Sequence, residues 1–324
     1  MKRLLYIVVL LTVFLADGNS QQSPVYSQYM LNGFLLNPAV AGSEGYTAVN
    51  LTVREQWVGL VNGPSTYALS FQTRLMKQSQ ISRSKSVRKR GRSASKGGRV
   101  GLGGYMFNHR NGAVDRTGLK LTYAYHLDLD KAQLSFGLSM LGYQYRLDEK
   151  LITLEEPGDD LWLGVRQSVF IPDADFGVYL SGKEFWTGVS VDQLLESALK
   201  FGDDGYETLV MERTYNLMGG YDFLVNRDLT LSPSAYFKFA ESGTMQLDLS
   251  TKAYFKQTFW TGLTYRTGHS IVLMVGAGVD RFVFGYAYDI GLNGLMKNTY
   301  GTHEFTFVAR FGDVASRYRW LNRF

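Results

Sequence analysis

Charged side chains recur at alternate positions of segments that otherwise hold apolar, small and hydroxyl residues. The clearest segment is 247–255, where a polar series alternates with a mainly apolar one: Asp248, Ser250, Lys252 and Tyr254 against Leu247, Leu249, Thr251, Ala253 and Phe255. A period of two sends the two series to opposite sides of a β-strand, so the charges of several such strands would share one surface. The chemistry available there is ion pairing or the sorting of ions.

The charges on these polar faces carry both signs. They are Arg54, Lys120, Asp128, Lys238, Asp248, Lys252, Arg266, Asp289, Glu304 and Arg310. Salt bridges that brace or plug an enclosed interior are the favoured interpretation, because buried charges need partners or water. A filter that selects ions is the functional alternative.

The sequence has no arrangement typical of catalysis or of a resident metal. It lacks cysteine, which excludes disulfides and thiolate metal sites, and its 4 histidines are scattered. His303 and Glu304 are adjacent and point to opposite sides of a strand, so they cannot hold a metal without a third ligand. No Gly-x-Ser-x-Gly turn or phosphate-binding glycine loop is present. We therefore expect no enzyme activity, no cofactor and no metal.

Two acidic stretches lie in segments without strand character. Asp159 and Asp160 belong to the first, and Asp203 and Asp204 to the second. Clustered carboxylates bind calcium in many proteins, but neither stretch has the regular ligand spacing of a calcium loop, which favours a solvated loop. We predict that these four carboxylates lie on surface loops and bind a partner.

One basic segment supplies much of the net charge of +5. Residues 76–98 are rich in Lys, Arg, Ser and Gly, with Arg88, Lys89 and Arg90 in succession. This composition cannot bury enough apolar surface to fold alone, which predicts a mobile loop. A solvated tether is the simpler interpretation. The functional interpretation is electrostatic contact with an acidic periplasmic partner or an anionic polymer of the cell envelope. Nucleic acid is not expected in the periplasm.

The alternating segments predict an all-β protein with about fourteen strands. The predicted strands are 46–56, 65–75, 99–108, 117–129, 132–147, 174–181, 185–191, 213–223, 229–239, 245–256, 258–266, 270–279, 281–290 and 302–311. A transmembrane antiparallel β-barrel and a soluble β-sandwich both fit such alternation. Many segments match the roughly 9–11 residues that cross a bilayer, and aromatic residues such as Tyr123, Tyr265 and Tyr286 gather at strand ends. Both features favour the barrel.

The lengths of the links predict the topology. Links after even-numbered strands are tight, as at 130–131 and 280, whereas 148–173, 192–212 and 291–301 follow odd-numbered strands. Bacterial outer-membrane barrels have short periplasmic turns and longer surface loops. An even strand number then places both termini on the periplasmic side.

The chain divides into four parts. Residues 1–20 have the pattern of a secretory signal peptide, and their apolar stretch is shorter than the ~20 residues of a spanning helix, which disfavours an uncleaved anchor. Residues 21–45 form an N-terminal segment, 46–311 the barrel, and 312–324 a basic, aromatic tail. The segment 24–43 precedes the first strand and contains an Asn-Pro pair, which makes it a candidate plug in or across the periplasmic mouth.

Several short motifs follow one another along essentially the whole mature chain. They are YSQYMLN at 26–32, LNPAVAGS at 36–43, REQWVG at 54–59, GPSTY at 63–67, GLGGY at 101–105, YAYH at 123–126, FWTGLTYR at 259–266, GYAYD at 285–289 and GTHE at 301–304. Each motif is weak alone, but the ordered set is specific and resembles the PorP/SprF family. The basic segment 76–98 is longer than the family pattern, so the resemblance does not explain it.

This resemblance implies an outer-membrane component of the type IX secretion system of Bacteroidetes, tied in some members to gliding motility. It implies two kinds of partner besides outer-membrane lipid: a secreted surface protein with a C-terminal secretion domain, and periplasmic or peptidoglycan-associated secretion proteins. It carries over no catalytic residue.

We therefore expect a barrel that anchors cargo at the cell surface. Loops 148–173 and 192–212 would bind the exported protein, while the periplasmic turns, loop 76–98 and the tail contact the envelope machinery. The alternatives are a general diffusion porin or nutrient channel, and a lipid-processing enzyme that uses a Ser or His at the lumen rim.

Overall fold

The computed structural model describes residues 26–75, 99–129, 131–148, 168–196, 198–201, 207–210, 212–256, 258–268, 270–292 and 299–311. The strands are β1 Thr47–Glu55, β2 Ser65–Leu75, β3 Val100–Asn111, β4 Val114–Asp128, β5 Ala132–Leu147, β6 Ser168–Gly182, β7 Phe185–Asp192, β8 Ala198–Phe201, β9 Glu207–Val210, β10 Thr214–Tyr221, β11 Phe223–Leu224, β12 Leu229–Ala240, β13 Met245–Phe255, β14 Phe259–Arg266, β15 Ser270–Val279, β16 Phe282–Gly291 and β17 Thr302–Phe311. No helix among the described residues is long and apolar enough to cross a membrane.

The main sheet closes into an antiparallel barrel. Strands pair with their sequence neighbours from β1 to β7 and from β12 to β17. β7 pairs with β10, β10 pairs with β12, and β1 pairs with β17 to complete the ring. The sheet has 15 strands, of which the two-residue β11 continues the line of β10, so 14 strands make up the wall. β8 and β9 form a separate hairpin in the link between β7 and β10. The predicted all-β barrel and its strand number are confirmed.

Side chains alternate between the inside and the outside of the wall as predicted. On β13, Leu249 is 49% exposed and faces outward, whereas Asp248 and Lys252 face the lumen and are buried. Outward leucines, phenylalanines and valines continue around the barrel. Such an apolar outer face is suited to contact with acyl chains, and a polar lumen is typical of outer-membrane barrels.

The two ends of the barrel differ in their links. At one end, called here the tight-turn end, short links join β4 to β5, β6 to β7, β13 to β14 and β15 to β16. The opposite end, the long-loop end, carries the links after β5, β7 and β16. One predicted loop at that end was wrong: β3 and β4 continue until only Gly112 and Ala113 separate them, with Gly112 at φ +59°. That the tight-turn end is periplasmic stays a prediction.

β4, β5 and β6 are the longest strands of the barrel wall, which therefore extends furthest at these strands. These strands have 15, 16 and 15 residues, so each extends several residues beyond the roughly 9–11 that a bilayer needs. The predicted start of β6 at 174 was wrong, because Pro172 obscured the strand pattern. Proline is tolerated there because β6 pairs with β7 only from Phe176 onward, so Pro172 lies outside the ladder between these two strands.

Proline also explains the break between β10 and β11. Both strands keep one register along β12, with Gly220 opposite Ser234 and Phe223 opposite Leu231. Pro233 stands opposite the interruption and has no N–H to donate to the ladder. The single predicted strand 213–223 is thus divided by a residue on its neighbour.

Several predicted features lie outside the described residues. They are the signal peptide 1–20, the basic loop 76–98, the tail 312–324, and the candidate partner-binding residues Arg88, Lys89, Arg90, Asp159, Asp160, Asp203 and Asp204.

The outward orientation of β13 predicts how an added charge affects stability. Replacement Leu249→Arg puts a guanidinium at mid-strand against lipid and should lower the free energy of unfolding by about 2–4 kcal/mol. The control Met245→Arg, at the outward-facing first residue of the same strand, should cost at most about 1 kcal/mol. Denaturant titration in lipid vesicles measures both. Equal costs at the two positions would contradict a lipid-facing surface.

Candidate functional site

The N-terminal segment, residues 26–46, runs through the barrel lumen. Three short 3-10 turns, Tyr29–Leu31, Gly33–Leu35 and Pro38–Val40, fold it compactly. Its first residues lie beside wall residues near the long-loop end, and residues 41–43 lie beside wall residues at the tight-turn end. The chain then enters β1. The segment therefore extends along the lumen and does not merely cover one mouth.

The Asn-Pro pair folds the middle of this segment. Asn37 caps the turn Pro38–Val40, because its side-chain oxygen accepts a hydrogen bond from the Ala39 N–H at 2.9 Å. Pro38 occupies the first position of the turn, where no N–H is needed. The pair that the sequence marked as a break thus starts a turn.

At the long-loop side, the segment is bound by a buried charge cluster. The backbone N–H groups of Ser27 and Gln28 donate to the two carboxylate oxygens of Glu304, at 2.8 and 2.7 Å. The Ser27 hydroxyl donates to Asp289 at 2.7 Å and accepts from the Arg54 guanidinium at 2.6 Å. Main-chain and hydroxyl groups of the segment therefore supply hydrogen bonds to wall charges.

The same cluster continues along the wall. Arg54 pairs with Asp289 at 2.8 Å and with Glu304 at 3.0 Å, and the register places Arg54 directly opposite Glu304. Arg266 pairs with Asp248 at 2.9 Å and lies 3.6 Å from Asp289. All five side chains are buried. Removing one partner from such a network costs about 3–5 kcal/mol, because an uncompensated charge stays inside.

In the middle of the lumen, Asn37 reaches the main chain of two strands. Its Nδ2 donates to the carbonyl oxygens of Val178 on β6 and Val189 on β7, at 3.0 and 3.2 Å. Ser190 donates to the Leu36 carbonyl at 2.6 Å, and on the opposite side Asn32 donates to Ser70 at 2.8 Å. The segment is therefore held from several directions.

At the tight-turn end, wall side chains bind the main chain of residues 41–43. His126 Nε2 lies 3.1 Å from the Ala41 carbonyl oxygen, and Gln133 donates to the Ser43 carbonyl at 3.2 Å. The Gly42 N–H donates to Gln72 at 3.3 Å. These bonds satisfy backbone groups that are buried away from water.

Glycines on the lumen face make room for the segment. A β-carbon added at Gly137 would overlap the backbone of Pro38 and Ala39, and one added at Gly177 would overlap the side chain of Asn37. Gly101, Gly103 and Gly285 are close to the segment in the same way. Because any side chain at these positions would push the segment away, the wall is shaped for it.

Two tyrosines of the segment add apolar packing. Tyr29 packs on Tyr236 with ring centroids 5.1 Å apart, and the Tyr26 hydroxyl is hydrogen-bonded to the Tyr105 hydroxyl. Burial raises the pKa of both Tyr26 and Tyr29 above the ordinary value, so both hydroxyls stay protonated and neutral at physiological pH.

Lys120 and Asp128, also predicted on lumen faces, pair outside the cluster. Lys120 pairs with Asp175 at 2.5 Å, and Asp128, which is partly exposed, lies 3.5 Å from Arg74. Their positions are separate from Arg54 and Arg266. Three further cations that were predicted on lumen faces have other neighbours in the structure. Lys238 lies near Asp192, Lys252 lies over the Trp260 ring and Arg310 lies over the Tyr46 ring.

Sequence reasoning missed part of this site. Asp175 was within a predicted strand but was not singled out, and Asp173 fell in the segment assigned to a loop. The lumen glycines carried a usable signal: Gly137 stands between Ser135 and Ser139 on the polar face of β5, where a wall without a lumen segment has no need of glycine. The residues of the N-terminal segment that bind wall charges could not be recognised from the sequence, because they and the charges they bind are far apart in the chain.

The family comparison decides what kind of barrel this is. The model of the type IX secretion system membrane protein PorP/SprF matches residues 18–308, most of the chain. The chain belongs to the PorP/SprF family. The predicted resemblance is thereby confirmed, and this PorP/SprF barrel resides in the outer membrane.

Comparison of the PorP/SprF chain with curated proteins finds no match. Among solved structures it is similar to the Ralstonia pickettii toluene transporter TbuX, at 11% identity and a TM-score of 0.45, covering 91% of this chain and 95% of that one. It is also similar to a Pseudomonas aeruginosa FadL homologue, at 10% identity and a TM-score of 0.46, covering 91% and 96%. The Acinetobacter baumannii outer membrane protein Omp33 gives 8% identity and a TM-score of 0.45, covering 82% and 98%.

The wall glycines predict how the segment can be released. Replacement Gly137→Val should displace Pro38 and Ala39 and raise hydrogen exchange of the amides in residues 26–43 by about tenfold or more, since protection reports local opening. The control Gly104→Val adds a side chain where nothing lies within 4 Å, and should leave exchange unchanged. Mass spectrometry of the detergent-purified protein measures both. Unchanged exchange in Gly137→Val would show that the segment is not held by this wall.

Proposed function

We propose that this PorP/SprF protein is a closed barrel that anchors secreted proteins at the cell surface and links them to periplasmic secretion components. The long-loop end holds a secreted protein that carries a C-terminal secretion domain. The tight-turn end contacts periplasmic or peptidoglycan-associated proteins. The segment 26–46 acts as an internal plug between the two ends.

The single observation that carries this proposal is the occupied lumen. Hydrogen bonds tie the segment to wall residues near both ends and in the middle, including Glu304, Val178 and Gln133. A diffusion porin needs a continuous aqueous path, and the packed segment argues against one. Lumen charges such as Arg54 and Asp289 pair with each other and with Ser27, which fits bracing better than ion selection.

The shape of the long-loop end supports a surface that binds protein. The acidic loops leave from β5 and β7, which flank β6, so both emerge on the high side of the wall. There, Tyr143, Tyr145 and Ile171 form a small buried cluster that stiffens the extended strands. Two loops on one rigid platform provide a larger contact area than loops at opposite sides of the rim.

The arrangement of the tight-turn end supports a basic contact surface. The loop 76–98 joins β2 to β3, and the tail 312–324 follows β17. In the barrel, β17 pairs with β1 and β1 with β2, so the two basic segments leave from strands that are separated only by β1. Their combined positive charge would attract an acidic partner and speed its association.

The lipid-processing alternative has little support in the described part of the chain. His303, near the long-loop rim, bonds the Tyr286 hydroxyl at 2.8 Å and lies 3.2 Å from the Tyr300 carbonyl oxygen. Neither partner is a serine nucleophile. Family and fold are those of a secretion-system barrel rather than a known enzyme class.

Two sets of charge-neutralising substitutions test the two proposed contacts separately. In the first set Asp159, Asp160, Asp203 and Asp204 become Asn, and in the second Arg88, Lys89 and Arg90 become Gln. We expect the first set to reduce co-purifying secreted proteins roughly fivefold, which corresponds to about 1 kcal/mol, and the second to reduce periplasmic proteins by a similar factor. Quantitative mass spectrometry after affinity purification from native membranes measures both.

The matched control neutralises Asp280 and Arg281, an exposed ion pair with 3.5 Å between its charged atoms in the tight turn between β15 and β16. Because this pair has no net charge, its removal leaves the net charge of the tight-turn end unchanged, and we expect no change in either group of partners. If the two sets reduced the same proteins, or neither set reduced any, the division of roles between the two ends would be wrong.

A further inference from the structure

The first residues of loop 192–212 fold against the barrel wall. Residues 193–196, called here the loop base, follow β7 and precede the β8–β9 hairpin. Gln193 has φ +62° and Glu196 has φ +46°, left-handed values that are unfavourable for residues with a side chain. Such conformations persist only where surrounding contacts hold them.

Two aspartates of β6 supply these contacts. Asp175 Oδ1 accepts a hydrogen bond from the Gln193 N–H at 3.1 Å, and Asp173 Oδ1 accepts one from the Leu195 N–H at 3.1 Å. The intervening N–H donates to the carbonyl oxygen of the residue between the two aspartates, at 2.9 Å. Three successive N–H groups of the loop base are thus bound by three successive residues of β6.

Both carboxylates are buried, although they bind the start of a surface loop. Asp173 is 3% exposed and Asp175 is 1% exposed. Lys120 pairs with Asp175 at 2.5 Å, and Asp173 also accepts a hydrogen bond from the Ala174 N–H at 2.7 Å. A buried carboxylate is costly unless it is paired or hydrogen-bonded. The aspartates and the loop base therefore stabilise each other.

Arg213 joins the end of the loop to its base. This residue follows the β8–β9 hairpin and directly precedes β10. Its guanidinium donates to the Leu194 carbonyl oxygen at 3.3 Å and pairs with Glu196 at 3.0 Å. Because the charged groups of this pair are partly exposed, they contribute less than the contacts of the buried aspartates.

We propose that Asp173 and Asp175 are positioning residues that hold the start of loop 192–212 in the conformation that binds the secreted protein. This inference rests on the proposed anchoring function, in which the loop contacts that partner. A loop that is ordered before binding loses less conformational entropy on association, so it binds more tightly. The tests change Asp173, because removing Asp175 would leave Lys120 without the carboxylate that it pairs with.

Hydrogen exchange in the purified protein tests whether Asp173 holds the loop base. Asp173→Ala removes the acceptor of the Leu195 N–H and should speed exchange of the amides in residues 193–196 about tenfold, because protection reports local opening. Asp173→Asn keeps an acceptor oxygen and should retain most of the protection. The matched control Asp115→Ala removes an aspartate of β4 that accepts a hydrogen bond from Asn108, and should leave the loop base unchanged.

Affinity purification from native membranes tests whether this order matters for binding. The readout is the amount of secreted proteins with a C-terminal secretion domain, identified by mass spectrometry. We expect a roughly fivefold loss in Asp173→Ala, near wild-type amounts in Asp173→Asn and no change in Asp115→Ala. The heat-dependent mobility of the barrel in gel electrophoresis confirms that each variant is folded. If Asp173→Ala does not fold, Arg213→Gln loosens the same base from its other side and should give smaller changes in the same direction.

The results separate this proposal from the anchoring function. The proposal is supported if exchange and partner binding change together in Asp173→Ala and both return in Asp173→Asn. It is overturned if Asp173→Ala leaves the exchange of the loop base unchanged, or if faster exchange leaves the captured proteins unchanged. A wild type that captures no such protein would overturn the anchoring function itself, and the positioning role with it.

Discussion

The barrel depends on one constraint: charged side chains buried in the lumen must find hydrogen-bond partners without bulk water. The backbone N–H groups of Ser27 and Gln28 meet this need for Glu304. The wall alone pairs Arg54 with Asp289 and Glu304 but leaves carboxylate oxygens in need of further donors. The N-terminal segment supplies them, and its own main chain is satisfied in return by wall side chains. Lumen glycines follow from the same constraint, since main chain can approach main chain only where no β-carbon intervenes. Segment and wall therefore specify each other.

Much of the wall could be predicted from the sequence, because strand alternation is a local signal. The faces of β13 and the tight links such as 280 follow from period and turn residues alone. Where a neighbouring strand decides, prediction was wrong or incomplete. Pro172 lies in β6 before its ladder with β7 begins, and the break after Tyr221 is caused by Pro233 on the next strand. The contacts of the lumen site are harder still to predict from the sequence. The charges of Arg54 and Glu304 were recognised, but that Ser27 joins them, 277 positions away from Glu304, depends on barrel closure.

The two ends of the barrel differ in structure. The extended strands β4–β6 raise a rigid platform beside the links after β5 and β7, whereas β17, β1 and β2 bring the origins of two basic segments together. Between them, the N-terminal segment fills much of the lumen, which fits the proposed anchoring role better than a channel.

Ion conductance of the purified protein in planar bilayers tests most directly whether the segment closes the barrel. The chain has no cysteine, so the pair Asn32→Cys and Ser70→Cys, placed where their side chains now share a 2.8 Å hydrogen bond, would form a unique disulfide between segment and wall. The account predicts no steady conductance in the wild type or in the locked protein, and open events only when the segment is displaced by bulk at Gly137 or Gly177. Steady conductance through the wild type that persists unchanged with the disulfide formed would contradict it, because ions would then pass beside a segment that does not seal the lumen.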